Sequence, residues 1–197
     1  MAHSTQQDFI RYVKLKFPNH FESKKVLEVG SLDINGTMRS FFSNCDYLGI
    51  DVGEGKGVDL VVQGQNHNAP DNTYDVCASG ECFEHNPYWA ETFANMLRMC
   101  KPNGLVLFTC ATTGRPVHGT SKSDKNSSPL TVNLGWEYYR NLEEKDFRDS
   151  FSKSFDDIFS VYEFHSTVEQ KNPTDFIKSL RAQGRLPADL YFWGIKK

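Results

Sequence analysis

The sequence predicts an α/β domain built on a mostly parallel, doubly wound sheet. Three observations predict it. Short apolar runs rich in β-formers recur at residues 26–29, 47–50, 58–62, 74–78 and 105–109, each too short for a helix. Helix-patterned stretches separate several of them. Glycine or acidic residues close the runs, at Gly30, Asp51, Gly64 and Gly80. Open α/β sheets bind their ligands just beyond such carboxyl ends of strands.

The elements follow in order. Residues 7–17 place Phe9, Val13 and Phe17 at four-residue spacing with Ile10 alongside, which predicts an amphipathic helix. Pro18 and Asn19 end it. Val26, Leu27 and Val29 form the first buried strand, and Gly30 supplies a sharp, open turn. Residues 37–42 suit a short helix, and 47–50 a second strand ending at Asp51. The third strand, 58–62, follows a link too short for a full crossover helix, so it is expected to be an irregular edge or to carry a vestigial helix. Residues 74–78 form the fourth strand. Asn86 and Pro87 are expected to start the next helix as N-cap and first residue, burying Trp89, Phe93, Met96 or Leu97, and Cys100. Residues 101–104 read as a Pro-containing turn, and 105–109 as an apolar central strand. Residues 111–136 are rich in Ser, Thr, Lys, Asn, Asp and Gly without periodicity; so long a loop reads as a substrate lid or as disorder. Residues 141–144 resemble a capping box, with Leu142, Phe147 and Phe151 on one helix face. Residues 158–164 form a β-type run, 173–183 a helix and 190–195 a final strand.

Length and composition bound the reading. The 197 residues carry 39% hydrophobic and 24% charged side chains and a formal net charge of −3. That suits one globular domain spanning 1–197 and gives no general attraction for nucleic acid or an anionic membrane. The five cysteines form no zinc spacing or paired framework, as expected of a reducing cytoplasm. Residues 1–7 are polar, without a leader-like apolar run. A homodimer is left open.

The motifs then combine. Glu28, Val29 and Gly30 close strand one, and Asp51 closes strand two about twenty residues later. Tyr74 and Asp75 open strand four, with Glu81, Glu84 and His85 beyond it. Lys101, Pro102, Asn103, Gly104 and Leu105 precede strand five. This ordered set resembles the class I S-adenosylmethionine-dependent methyltransferases of the methyltransferase domain 11 kind, across residues 25–113. The resemblance implies a Rossmann-like sheet of seven strands with an antiparallel C-terminal strand. It also implies S-adenosyl-L-methionine as cofactor. The chain would divide into an N-terminal helix (1–24), a cofactor-binding half (25–110), a lid (111–137) and a C-terminal sheet half (138–197).

By the same resemblance, Glu28 would support the methionine amino group or the loop itself. Gly30 and Ser31 would lie against the methionine–ribose portion, and Asp51 with Val52 would take the ribose. Gln63, Gly64 and Gln65 would meet the adenine edge, while Ser79, Gly80 and Glu81 would line the sulfonium side. Leu32 stands where many relatives carry a second glycine, and the pyrophosphate-binding GxGxxG is absent. Structural alternatives stay open: Glu28 as a solvated strand end, Asp51 as a turn former, Gln63 and Gln65 as ordinary residues after a strand. For proton removal from an acceptor, His85 and His118 are the catalytic candidates, since unperturbed imidazole titrates near neutrality. Glu81 is a further base candidate. Tyr138, Tyr139 and Arg140 either wall the substrate or pack the following helix. No acidic cluster for a metal is visible, so none is expected. The expected activity is methyl transfer to a small-molecule acceptor, on oxygen or nitrogen, such as a sugar or other hydroxylated compound. A non-catalytic protein binding the cofactor or its product, and a nicotinamide-dependent oxidoreductase, are the competing readings.

Overall fold

The computed structural model describes residues 4–168 and 173–197; residues 1–3, part of the polar N-terminal stretch, and residues 169–172 lie outside the described residues. Helix α1 (Ser4–Lys16) buries Phe9, Ile10 and Val13, the stripe its spacing predicts. Strand β1 (Lys25–Val29) follows, then β2 (Asp46–Asp51) and β3 (Leu60–Val61). After β4 (Tyr74–Gly80) come α2 (Trp89–Met99) and β5 (Cys100–Ala111). The C-terminal part adds α3 (Pro129–Asn133), α4 (Glu144–Asp149), α5 (Phe155–Ile158), β6 (Phe159–Ser166), α6 (Asp175–Ala182) and β7 (Asp189–Lys196).

The strands form one sheet in the order β3-β2-β1-β4-β5-β7-β6. Strands β1 to β5 pair in parallel, and β7 runs antiparallel to both β5 and β6. The seven-stranded, mostly parallel architecture with an antiparallel C-terminal strand is therefore as expected. Chain order reverses between β1 and β4, which makes their carboxyl ends the switch point where such sheets open a crevice.

Alternation along the strands builds a core on each face. Leu27, Val29, Cys77, Val106 and Phe108 pack with α2 and α4 through Phe93, Met96 and Phe147. Val26, Val76, Ala78, Leu105 and Leu107 pack with Phe9, Val13, Phe176 and Ile177 of α1 and α6. Both faces are covered, so the central strands read as continuous apolar runs. Phe108 anchors the first face, stacked on Phe147 at 4.4 Å and on Phe192 at 5.1 Å between ring centres.

Several local expectations are corrected. Strand β3 has only two residues, not the run 58–62, and its side chains are exposed. It is an edge strand whose approach is set by Asp59, which accepts the Gly49 amide at 2.7 Å and pairs with Arg39. The expected helix at 37–42 is a 3₁₀ turn, Met38–Phe41, capped by the Thr37 hydroxyl. Helix α2 starts three residues after Asn86. That residue closes a preceding 3₁₀ turn, Phe83–His85, and its side chain accepts the Tyr88 amide and donates to Thr92. The expected turn at 101–104 runs within β5, bent at Asn103 with φ +62°. The capping box lies at Glu143 and Asp146. The long loop is partly ordered, as a 3₁₀ turn at Lys125–Ser127 and the short α3.

Candidate active site

Three cavities meet around Gly30, at the carboxyl end of β1. Gly30 has φ +79°, and a Cβ there would stand 2.6 Å from Cβ of Cys82. Only glycine lets the β1 and β4 loops approach this closely. The loop beyond it is braced: the Gly30 and Ser31 amides both donate to the Ile50 carbonyl, and Asp33 pairs with Lys56 at 2.7 Å. This bracing holds the loop in place around Leu32.

The first cavity, about 330 Å³, is lined by Val29, Gly30, Asp51, Val52, Val62, Gly64, Gln65, Cys82, Asn86, Thr131 and Trp136. The second, about 390 Å³, lies between Gly30, Asp51, Glu81, Cys82 and residues 127–131 of the loop after β5. The third, about 370 Å³, runs toward α1 past Glu28, Gly36, Thr37, Met38, Gly80 and Thr109. Shared linings make them one groove wrapped round Gly30. Of the described residues that line it, none is Lys or Arg, whereas Glu28, Asp51 and Glu81 all face it.

The groove's carboxylates differ in their surroundings. Asp51 accepts the Leu32 amide at 3.0 Å and its neighbour Val52 at 2.7 Å. Burial raises its pKa, and the two amides oppose that. Glu28 is buried and accepts the Tyr47 hydroxyl at 2.8 Å; burial lifts it to about 7. Glu81 follows β4 in the left-handed region, at φ +50°, a conformation costing a non-glycine residue roughly 1–3 kcal/mol. Burial, with the nearby charge of Glu84 adding to it, lifts Glu81 to about 8.

Not every expected site residue reaches the groove. Ser79 is fully buried and its hydroxyl donates to the Val29 carbonyl at 2.9 Å, so it pins β4 to β1 rather than facing ligand. Gln63 accepts hydrogen bonds from Gln65 and Asn66 and stays outside the lining. Ser31 is buried behind the loop, its hydroxyl without a partner. Gly64, Gln65, Val52, Gly80 and Glu81 line it.

A fourth, wider cavity of about 970 Å³ joins the groove at Ile34, Glu81, His85 and Ser127. Arg115, His118, Asp124 and Asn126 give it polar walls. The two candidate histidines do come together here, with rings 4.9 Å apart and nearly perpendicular, and Tyr139 edges both. Their basicity differs from expectation. Burial pushes His85 down to about 3, with His118 adding to the effect, and burial lowers His118 as well. His85 is therefore a poor base near neutrality, and Glu81 is closer to the optimum. Of the expected substrate wall, only Tyr139 reaches the histidines. Tyr138 packs on the core, and Arg140 pairs with Asp146 at 2.6 Å.

No acidic cluster is visible along the sequence, yet the fold assembles one from Glu81, Glu84 and Asp189. Burial brings Glu84 to about 7, and Asp189 to about 7 with Glu81 adding to it. Asp189, at the start of β7, is met by Arg115 at 3.3 Å and by the Tyr191 hydroxyl at 3.1 Å. Asp189 is about a hundred residues from Glu81 and Glu84 in sequence, and the β4–β5 and β5–β7 pairings bring it to them. Trp136, Leu130 and Thr131 also had no sequence signal, because they reach the groove by the path of an aperiodic loop.

The profile of a family described as "Methyltransferase domain" matches residues 1–119. The chain belongs to that family. No curated protein matches its sequence. Among solved structures, this methyltransferase domain is similar to phosphoethanolamine N-methyltransferase 2 of Haemonchus contortus in complex with S-adenosyl-L-methionine. The TM-score there is 0.61 at 15% identity, over 96% of this chain and 52% of that one. The domain thus spans about half the length of that enzyme. It is also similar to 1,6-didemethyltoxoflavin-N1-methyltransferase of Burkholderia thailandensis, with bound 1,6-didemethyltoxoflavin and S-adenosylhomocysteine (TM-score 0.61, 10% identity, 98% and 79% of the two chains). A third is an S-adenosylmethionine-dependent methyltransferase of Archaeoglobus fulgidus (0.57, 12%, 97% and 94%). At these identities the likeness is one of fold.

Proposed function

We propose that the groove around Gly30 binds S-adenosyl-L-methionine and that the methyl group passes to a small, polar acceptor held in the adjoining cavity. One observation carries this reading. The groove offers the carboxyl groups of Glu28, Asp51 and Glu81 and no Lys or Arg among its described lining residues. Such a lining suits a phosphate-free ligand bearing positive charge, and it opposes the pyrophosphate of a nicotinamide cofactor. When bound, the cofactor supplies a methyl already activated on a sulfonium. Asp51 would accept from the ribose hydroxyls, and Gln65 with Trp136 would border the adenine. Glu28 would meet the amino end, and Gly80 and Glu81 would border the sulfonium.

What remains for the protein is alignment and exclusion of water, and well-oriented reactants can gain ~7–11 kcal/mol of the barrier. Residues 127–131 line the groove, and the 111–137 segment would act as its lid. Glu81, facing both groove and cavity, takes a proton from a hydroxyl or amine acceptor. The small-molecule acceptors named for the neighbours from Haemonchus contortus and Burkholderia thailandensis support that class. Isothermal calorimetry with S-adenosylhomocysteine tests the binding half, and one equivalent bound per chain is expected. Tight NADH binding without affinity for S-adenosylhomocysteine would overturn it. Transfer of labelled methyl to a panel of hydroxylated and amino acceptors tests the other half; binding without any transfer would leave a non-catalytic binding protein.

A further inference from the structure

Beside the groove lies a group of side chains that methyl transfer alone does not use. Glu84, in the 3₁₀ turn after β4, is fully buried, and its carboxylate oxygens meet no donor beyond its own backbone amide and the neighbouring Glu81 carboxyl. Burial of such a group is costly unless a cation or donors compensate it. His85 is also buried, and its Nδ1 has no partner. His118 approaches from the loop after β5. Its Nδ1 lies 2.9 Å from the Pro116 carbonyl, and because a carbonyl only accepts, Nδ1 carries the proton. The lone pair is thereby left on Nε2, the arrangement by which a backbone carbonyl orients a metal-ligating imidazole.

One ligand atom from each of Glu84, His85 and His118 lies within 4.8 Å of the others. Metal bonds of roughly 2.0–2.2 Å put three ligand atoms about 3–4 Å from one another, so closure of about 1 Å brings all three onto one ion. We propose that Glu84, His85 and His118 bind a divalent transition-metal ion of the manganese, cobalt or zinc kind. Two imidazoles and one carboxylate select that class over the all-oxygen sites of calcium and magnesium. Three protein ligands leave positions open. His85 and His118 both line the polar cavity, so an open position faces it, and there the ion takes an oxygen of the acceptor. That last role rests on the function proposed above, whereas the ion site does not. Glu81, with one buried oxygen also unpartnered, stands beside the site as a fourth group of suitable chemistry.

The test uses the untagged chain after dialysis against EDTA. Calorimetric titration with MnCl₂, and the visible absorption of added CoCl₂, are expected to show one equivalent per chain. His118→Ala, a change in a half-buried loop side chain, should weaken Mn²⁺ binding at least about tenfold, and Glu84→Gln should do the same. His20→Ala, at a histidine far from the site that contacts Asn103, should leave it unchanged. Circular dichroism on each variant confirms that it is folded. No Mn²⁺ or Co²⁺ binding by the wild-type chain, or binding undiminished in folded His118→Ala, overturns the site. S-adenosylhomocysteine binding is measured on the same samples. Its failure beside intact Mn²⁺ binding would strike the methyl-transfer reading and leave the ion site standing.

Discussion

Asp51 and Glu81 are both buried carboxyl groups at strand ends, and their neighbours give them different tasks. Two backbone amides hold Asp51 in place and favour its ionised form, which leaves it able to accept from a pair of vicinal hydroxyls. Hydrogen bonds to a charged group contribute roughly 1.5–3 kcal/mol each. Asp51→Ala should therefore lower S-adenosylhomocysteine affinity at least about tenfold by calorimetry, and unchanged affinity would remove Asp51 from the site. Glu81 has less support: one carboxylate oxygen is unpartnered, Glu84 opposes its charge, and its backbone is left-handed. Replacing it with glycine removes the strain and the buried acid together. Glu81→Gly should raise the melting temperature while slowing methyl transfer, as happens where a site is built at the expense of stability. A less stable variant with full activity would show that Glu81 serves the fold instead.

Among the elements, the loop after β5 contributes most to the site outside the sheet. Its 3₁₀ turn and α3 place residues 127–131 along the groove's lining, and Leu130 packs at the position where a Gly53 side chain would stand. Ligand bound beneath should hold this segment down. Hydrogen exchange is expected to slow across residues 126–136 when S-adenosylhomocysteine is added, with little change in β6; uniform protection, or none in the loop, would contradict its role as a lid. This segment also marks what a single sequence reveals. Strands β1, β2, β4 and β5 were legible because buried parallel strands must be apolar throughout, and Gly30 and Asp51 were legible because they end such strands. The path of residues 111–136 was not, since no periodicity constrains a loop that packs through scattered side chains such as Leu130 and Trp136. The helix start was misplaced because Asn86 caps through a preceding 3₁₀ turn. Ser79 looked like a site residue by position alone, and its bond to Val29 appears only when β4 lies against β1. The histidines' low basicity follows from burial, which spacing does not encode.

At the scale of the whole molecule, the buried acids tie stability to pH. Glu28, Glu84 and Asp189 titrate at about 7 and Glu81 at about 8 in the fold, against roughly 4 in an unfolded chain. Between those values the folded state holds more protons, so its stability falls as pH rises. His85 and His165, lowered by burial to about 3 and about 4, act oppositely, but only below about pH 6.5, where the unfolded chain protonates first. Above that point the carboxyl groups act without this opposition. The melting temperature of ligand-free, EDTA-treated protein should therefore drop from about pH 6.5 to about pH 8.5, and Glu81→Gln should flatten the drop. A flat or rising profile in the wild-type chain would contradict the buried-acid account. Two of these acids, Glu28 and Glu81, line a crevice at the sheet's switch point together with Asp51, and the central claim is that this crevice holds a sulfonium nucleoside with its sulfur toward the polar cavity. A crystal structure with S-adenosylhomocysteine tests it most directly. The account predicts adenine between Gln65 and Trp136, both ribose hydroxyls on Asp51, and sulfur beside Gly80 and Glu81, facing His85 and His118. Ligand bound elsewhere, or seated in the groove with its ribose away from Asp51, would contradict it.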